Sequence, residues 1–148
     1  MNDDARDWCD LREACLADAP ELARLISQLE HPTTSADVVA QWAAFQEAGN
    51  AALVVARTDG TLAGVAVLHR TLTLHRRAPV GRITLLVVDA PERGRGVGKM
   101  LVAAAEERLR LAGCELLEIT SHVSLVSAHG FYEHMGYGRT SHRYAKSL

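Results

Sequence analysis

The chain has 148 residues, 48% of them hydrophobic, and a formal net charge of -2. This length supports one domain with its own core rather than two. The charge is not the basic footprint that a nucleic-acid backbone requires, and no apolar run approaches the ~20 residues that cross a bilayer. The opening MNDDARDWCD lacks the basic and apolar segments of a signal peptide. We therefore expect a cytoplasmic protein that binds neither nucleic acid nor membrane, with residues 1–6 as a flexible N-terminus.

Two amphipathic helices are predicted after a first short strand. Asp18 and Glu21 lie three residues apart, Pro20 falls in the first turn, and apolar residues then recur at helical spacing as far as Leu29. A second helix spans about 38–45, followed by the helix-ending Gly49-Asn50 pair. We expect these helices to border the substrate entrance.

A hairpin and a central strand are predicted next. The runs Ala51–Arg57 and Leu62–His69 are strand-like, and the Asp59-Gly60 pair between them is a strong hairpin signal. The run Ile83–Val88 is apolar at almost every position and predicts a strand buried on both faces.

The C-terminal half predicts further alternation of helices and strands. A helix from Gly96 to Ala112 is followed by a strand at Leu116–Thr120, a short helix at Ser127–Met135 and a final strand near Tyr137–Lys146. Strands and helices that alternate in this order predict an α/β fold with a mixed sheet.

A glycine cluster, Arg93–Lys99, lies between the central strand and the next helix. Unpaired N–H groups and the dipole at a helix N-terminus favour an anion, and glycines let phosphate oxygens approach the backbone. A nucleotide P-loop is excluded because Arg93 replaces its first glycine and Met100 its Ser or Thr. A dinucleotide fingerprint from Gly94 is excluded because Lys99 replaces its third glycine.

Two motifs remain to be explained, and both occur in one family. Arg93, Gly96 and Gly98 satisfy [QR]-x-x-G-x-[GA], and the segment Ala128–Tyr137 satisfies A-x-x-F-Y-E-x-x-G-[FY]. With these motifs in this order, the chain resembles the GNAT acetyltransferases, and residues 11–22 look like the first strand and helix start of that family. The resemblance implies one GNAT domain over residues 1–148, with a mostly antiparallel, twisted sheet whose central strands splay at the acetyl-CoA site.

The resemblance also implies the coenzyme site. In the family, main-chain amides of the glycine loop bind the pyrophosphate of coenzyme A, and a main-chain N–H of the central strand polarises the thioester carbonyl. Acetyl-CoA is thus the expected co-substrate, and basic side chains of the loop would add positive charge. The cofactor-binding residues implied here are Leu86, Val87, Val88, Arg93, Gly94, Arg95, Gly96, Val97, Gly98 and Lys99.

Tyr132 is the implied catalytic residue. It is similar in position to the family tyrosine that hydrogen-bonds the coenzyme sulfur and protonates it. A phenol of pKa ~10 needs help from its geometry or environment to donate to a thiolate of pKa ~8.5. Many family members carry a carboxylate late in the central strand, where this chain has Thr84 and Leu85. The remaining candidates for a general base are Glu118, His122 and His69, although each also fits a plain structural role.

The acceptor is expected to be a primary amine of a small molecule, which attacks acetyl-CoA directly in a ternary complex. The segment Leu68–His75 and the tail Ser141–Lys146 resemble, less specifically, the aminoalkylphosphonate N-acetyltransferases within the family. Acetylation of a protein lysine or N-terminus stays open, and so does a non-catalytic acetyl-CoA-binding module, although Tyr132 argues against the module. The resemblance and the apolar content predict a homodimer. Basic residues suited to a phosphonate or carboxylate are Arg70, Arg76, Arg77 and Arg143.

Neither a metal site nor a disulfide is expected. His69 and His75 have no third ligand nearby in sequence. The three cysteines, Cys9, Cys15 and Cys114, are odd in number and form no CxxC pair, so we expect reduced and mostly buried thiols.

Overall fold

The computed structural model describes residues 7–121 and 123–148. The predicted flexible N-terminus, 1–6, and the candidate base His122 lie outside the described residues. The packing divides the chain into two compact units, the first ending at Glu118 and the second beginning at Ile119. None of the helices within the described ranges combines the length and hydropathy that a bilayer-spanning helix needs.

Apart from the predicted final strand, the strands and helices follow the predicted order, which confirms the α/β class. The order along the chain is β1, α1, α2, β2, β3, β4, α3, β5, α4. The strands are β1 (Cys9–Glu13), β2 (Asn50–Arg57), β3 (Leu62–Thr71), β4 (Val80–Val88) and β5 (Leu116–Ile119). The α-helices are α1 (Ala19–Ser27), α2 (Ser35–Glu47), α3 (Val97–Leu111) and α4 (Val126–His134).

The five strands form one sheet in the order β1-β2-β3-β4-β5. The pairs β1–β2, β2–β3 and β3–β4 are antiparallel, so the sheet is mostly antiparallel, as predicted. The hairpin between β2 and β3 is confirmed, and Gly60 in its turn has the positive φ of 86° that glycine adopts readily. The splay of the central strands stays a prediction.

One face of the sheet is covered by α1 and α2. Leu22 and Leu25 of α1 are buried against inward residues of β2, β3 and β4, and Trp42 and Phe45 of α2 pack on the same core. The two aromatic rings stack with centroids 5.7 Å apart. The sheet residues of this core are Ala52, Val54, Ala56, Leu62, Val65, Val67, Leu85 and Val87.

Helix α3 packs against the opposite face, where two glycines allow a close approach. A Cβ atom on Gly64 would lie 2.9 Å from Cγ1 of Val97 and 3.0 Å from Cδ1 of Leu101. A Cβ atom on Gly81 would lie 2.7 Å from Cδ1 of Leu109. Because side chains at these two positions would push the helix away, the glycines fix α3, and hence its N-terminus, close to β3 and β4.

Strand β4 contains a bulge at Thr84. Val67 of β3 is opposite Leu85 and the next residue, Leu68, is opposite Ile83, so Thr84 has no opposite residue. Thr84 is exposed and Leu85 is half-buried. The prediction of a strand buried on both faces is therefore wrong here, because the extra residue of the bulge turns outward.

The predicted final strand near Tyr137–Lys146 is also wrong. Residues 137–148 have no regular secondary structure, and all of them except Tyr137 are exposed. Thr140 is the only β-branched residue between 137 and 146, and no apolar alternation marks a face to bury. A strand also needs a partner for its backbone groups, and composition alone does not supply one.

The expectation of mostly buried thiols is wrong. Cys15 is exposed, and Cys9 and Cys114 are half-buried. Cys9 lies on the edge strand β1, and Cys15 lies in the connection that leads from β1 to α1, so neither position is enclosed on all sides.

We predict that Gly64→Ala destabilises the protein by about 1–3 kcal/mol, because the added methyl overpacks the contact between β3 and α3. Urea unfolding measures the change. The matched control is Gly130→Ala in α4, where a Cβ atom meets nothing within 4 Å. Alanine there is expected to stabilise the helix by about 0.5–1 kcal/mol. Equal unfolding midpoints for Gly64→Ala and the native protein would contradict the packing argument.

Candidate functional site

The glycine loop joins the end of β4 to the start of α3. After Asp89, the residues Ala90–Glu92 form a 3-10 turn, and α3 begins at Val97. Gly94 and Gly96 have positive φ values of 78° and 85°, which side-chain-bearing residues rarely adopt. The loop predicted to bind an anion therefore has the backbone that requires glycine.

Backbone donors converge at the N-terminus of α3. The first N–H of this region to bond back along the helix is that of Met100, which donates to the carbonyl of Gly96 at 3.0 Å. The N–H groups of Val97, Gly98 and Lys99 precede that bond and have no acceptor within the helix. Gly96 is the N-cap and has no side chain to accept from them. With the helix dipole, these donors suit an anion.

The basic side chains of the loop differ in their surroundings. Arg93 is exposed, and its Nε donates to the carbonyl of Val88 at 3.2 Å. Arg95 donates from Nη1 to Oε2 of Glu92 at 2.5 Å, and its guanidinium lies 4.5 Å from the ring centroid of Trp8. Lys99, on the first turn of α3, is exposed.

Beneath the loop, Arg57 at the end of β2 lies between two buried carboxylates. Its Nη2 donates to Oδ2 of Asp89 at 2.7 Å, and its Nε donates to Oε1 of Glu92 at 3.1 Å. Its Nη1 donates to Oγ1 of Thr61 at 2.8 Å and to the carbonyl of Leu62 at 3.1 Å. Our sequence interpretation missed this cluster, although carboxylates directly after a buried strand were the available signal.

Asp89 also binds α1. Its Oδ1 accepts from Nη1 of Arg24 at 2.9 Å and from Nε2 of Gln28 at 2.8 Å. Burial acts to raise the pKa of Asp89, but the hydrogen bonds from Arg57, Gln28 and Arg24 outweigh it and hold that pKa well below its ordinary value. Asp89 is therefore ionised throughout the physiological range, and it joins α1 and β2 to the start of the loop.

The central-strand residues implied in thioester binding lie directly before the loop. Leu86, Val87 and Val88 are opposite Ala66, Val65 and Gly64 of β3. Val87 is buried in the core beneath α1 and α2, and its two neighbours are half-buried. The structure thus places the strand and loop candidates next to each other within the first unit.

A row of polar residues crosses the sheet on the face covered by α1 and α2. His69 of β3 is opposite Asn50 of β2 and Arg82 of β4. Because side chains alternate along a strand, His69 shares its face with Val67, which packs on the core of that side. The sequence interpretation included His69 but missed Asn50 and Arg82.

Two of the candidate bases lie next to Arg82: His69 is in the row itself, and Glu118 is on the adjacent strand β5. Nε of Arg82 donates to Oε2 of Glu118 on β5 at 3.0 Å, and both side chains are partly exposed. Nδ1 of His69 is hydrogen-bonded to Oγ1 of Thr71 at 3.0 Å. The structure therefore brings Glu118 and His69 to either side of Arg82, on adjacent strands.

Tyr132 lies in α4, within the second unit. Its ring meets those of Phe131 and Tyr137 edge to face, at centroid distances of 5.4 Å and 6.2 Å. Burial raises the pKa of the Tyr132 phenol above its ordinary value. The hydroxyl is therefore protonated at neutral pH and can act as a donor.

The remaining candidates are surface residues. Arg70 is the penultimate residue of β3, Arg76 and Arg77 lie in the connection to β4, and all three are exposed. Arg143 is exposed in the second unit. In residues 7–121 and 123–148, no three or more His, Cys, Asp or Glu side chains are grouped as a metal site requires.

The family model and the curated relative found by comparison with known proteins are both acetyltransferases. The family model described as "Acetyltransferase (GNAT) family" matches residues 10–137, which include parts of both units. The aminoalkylphosphonate N-acetyltransferase of Salmonella typhimurium is 32% identical over 153 aligned positions, covering 99% of this chain and 96% of the relative.

Solved structures show the same fold. An acetyltransferase of Trypanosoma brucei is 25% identical, with a TM-score of 0.83 over 95% of this chain and 99% of that one. Aminoglycoside N-acetyltransferase AAC(6')-Iy in complex with CoA is 19% identical, with a TM-score of 0.81 over 95% and 94% of the two chains. Together with a family model that covers most of the sequence, this shows that the chain belongs to the GNAT acetyltransferase family.

Proposed function

We propose that this acyltransferase moves the acetyl group of acetyl-CoA to a primary amine of a small molecule, by direct attack in a ternary complex. We include in the proposal that it works in the cytoplasm as a homodimer. The observation that carries the proposal is the N-terminus of α3, where the N–H groups of Val97, Gly98 and Lys99 have no acceptor within the helix and follow glycines at positive φ. In a GNAT protein, this arrangement suits the pyrophosphate of the coenzyme.

In this proposal, coenzyme binding divides between the loop and the strand before it. Backbone amides of residues 93–99 hold the pyrophosphate, and Arg93 and Lys99 add positive charge at its exposed side. A main-chain N–H among Leu86, Val87 and Val88 polarises the thioester carbonyl, because a fixed donor stabilises the oxyanion that forms there.

Acetyl transfer requires a proton at the departing sulfur. The neutral amine attacks the thioester carbon, a C–N bond forms, the C–S bond breaks with its electron pair on sulfur, and the acylated nitrogen loses one proton. We propose that Tyr132 donates its phenolic proton to that thiolate, and that the resulting phenolate recovers a proton from the acylated nitrogen directly or through water. Its raised pKa makes the phenol a weaker acid, so proton transfer depends on close placement of the hydroxyl to the sulfur.

The acceptor must also lose a proton before it attacks. An alkylamine of pKa ~10.4 is neutral in only about one molecule in a thousand at pH 7. We propose Glu118 and His69 as the groups that receive this proton, directly or through water, since both flank Arg82 on the sheet. His122 stays a third candidate.

We propose an acceptor with an acidic group as well as an amine, of the aminoalkylphosphonate kind. The support is the name of the Salmonella relative, which aligns over nearly the whole chain, and the exposed Arg70, Arg76 and Arg77. Guanidinium groups bind phosphonates and carboxylates through paired hydrogen bonds.

An acceptor panel tests the proposed function. The purified protein is incubated with acetyl-CoA and with aminophosphonates, amino acids, other amines and lysine-containing peptides, and free thiol is followed. We expect acceptor-dependent thiol release with a small amine that carries an acidic group. Release with peptides alone would favour protein acetylation, and coenzyme binding without any release would favour a non-catalytic module.

We predict that Gly96→Asp weakens coenzyme A binding by about 10- to 100-fold relative to Gly96→Asn, measured by calorimetry. Asn and Asp have similar shapes and both tolerate positive φ, so the pair separates charge from backbone strain. The carboxylate of Asp places a negative charge where the pyrophosphate is expected. The two negative charges would repel each other, and this repulsion lowers the affinity. Equal affinities in two folded variants would remove the loop from the site.

We predict that Tyr132→Phe lowers kcat by about 10²- to 10⁴-fold, the range that general acid catalysis commonly contributes. The ring is retained, so the coenzyme affinity and the thermal midpoint should change little. Steady-state kinetics and calorimetry measure these effects. A smaller loss is expected only if product release limits turnover.

An activated acyl donor provides the control for Tyr132. A thioester whose thiol is more acidic needs less help from a proton donor, so the difference between the native enzyme and Tyr132→Phe should shrink with it. A loss of stability and coenzyme affinity in place of kcat would show that Tyr132 is a packing residue.

A further inference from the structure

Arg95 is the only residue between the two positive-φ glycines of the loop. Neither Gly94 nor Gly96 has a neighbour within 4 Å of the position that a Cβ atom would take. Glycine is the most permissive residue for φ and ψ, so a backbone with two exposed glycines has a high conformational entropy to lose. The direction of the loop amides therefore depends on what anchors Arg95.

Two contacts anchor the Arg95 side chain to the body of the first unit. Oε2 of Glu92 accepts from Nη1 of Arg95, and the guanidinium lies over the ring of Trp8. Trp8 is itself fixed, because its carbonyl accepts from the N–H of Thr58 in the β2–β3 turn at 3.2 Å. Arg95 is thus held by protein groups on two sides.

Glu92 is held in turn by Arg57. The Glu92 residue is 8% exposed, and Nε of Arg57 donates to its Oε1 while Nη1 of Arg95 donates to its Oε2. A site that used Arg95 only for charge would not place a buried carboxylate on it, because the carboxylate weakens its attraction for phosphate. The Arg95–Glu92 ion pair is expected if the loop requires Arg95 to hold the backbone in place rather than to supply positive charge to the ligand.

We infer that Arg95 is a positioning residue for the coenzyme loop and not a phosphate ligand. Arg57 fixes Glu92, Glu92 and Trp8 fix Arg95, and Arg95 fixes the backbone between Gly94 and Gly96 before the coenzyme arrives. The inference rests on the proposed function in one respect, namely that this loop binds the pyrophosphate of coenzyme A.

Glu92→Gln tests the inference by the sign of its effect on coenzyme A affinity. If Arg95 positions the loop, the loss of the charged anchor weakens binding, and we expect about tenfold in Kd, or about 1.4 kcal/mol. If Arg95 binds phosphate, removal of the competing carboxylate frees it and tightens binding. Calorimetry with coenzyme A decides, and an unchanged or lower Kd overturns the inference.

A truncated donor separates positioning from general destabilisation. Acetyl-pantetheine lacks the pyrophosphate, so Glu92→Gln should raise the KM for acetyl-CoA about tenfold and leave the KM for acetyl-pantetheine within about twofold. Equal increases for both donors would mean that Glu92 supports the fold as a whole, and would overturn the inference.

Arg95→Gln gives a second variant at a side chain that is 53% exposed, so this protein should fold even if Glu92→Gln does not. An exposed contact with phosphate is screened in 1 M salt, where the Debye length is about 3 Å. The affinity gap between the native protein and Arg95→Gln should therefore persist in 1 M salt if Arg95 positions the loop. A gap that closes in salt would identify a phosphate ligand.

The variant that carries both Glu92→Gln and Arg95→Gln completes a double-mutant cycle. With Arg95 already replaced, Glu92→Gln should add less than about twofold in Kd, because the two residues act as one unit. The proposed function is judged separately, by whether the native protein binds coenzyme A and by the Gly96 pair. If the native protein binds coenzyme A and the effects of the two substitutions on Kd are fully additive, the positioning role of Arg95 is overturned and the proposed function is not.

Discussion

The placement of the glycine loop depends on the ion pairs that the guanidinium of Arg57 forms with Asp89 and Glu92. Arg57 ends β2, while Asp89 precedes the turn that follows β4 and Glu92 is the last residue of that turn, so one side chain joins two strands to the loop. Both carboxylates are buried, at 5% and 8% exposure. Removal of one partner from a buried ion pair costs about 3–5 kcal/mol, because the remaining charge has lost both water and partner. The planar fork of arginine is suited to this task, since its donors serve both carboxylates and the turn at the same time.

The cluster of Arg57, Asp89 and Glu92 connects elements on both faces of the sheet. Arg24 and Gln28 bring α1, which covers one face, to the carboxylate of Asp89, and the loop beyond Asp89 leads into α3 on the opposite face. The polar row of Asn50, His69 and Arg82 lies on the α1 side, whereas the first-turn amides, which have no acceptor within the helix, lie at the start of α3. Strand β4 carries Arg82 of the polar row, and its C-terminal end leads through the glycine loop to the start of α3. This division suits a reaction in which the acyl donor and the acceptor approach a central strand separately and meet there.

The close packing of α3 has a functional consequence as well as a structural one. Gly64 and Gly81 let the helix lie against the sheet, and Val97, its first residue, is in contact with that surface. An N-terminus that is fixed in this way presents its amides in one direction, so little conformational entropy is lost when an anion binds. In the loop, Gly94 and Gly96 allow the backbone more conformations than other residues would, and we propose that the anchored Arg95 limits them.

The sequence by itself determined the features that depend on neighbouring residues. Helical periodicity defined α1, α2 and α3, and the Asp59-Gly60 pair defined the hairpin. The spacing of Arg93, Gly96 and Gly98 identified the loop, and this motif together with the one at Ala128–Tyr137 identified the family. Only the tertiary structure decided the contacts between distant residues. Arg57 and Asp89 are 32 positions apart, and Arg82 and Glu118 are 36 apart. The bulge at Thr84 likewise depends on pairing with β3. The periodicity of a sequence shows which face of an element is apolar, but not which strand pairs with that element. Strand pairing determines which charged side chains come close enough to form ion pairs.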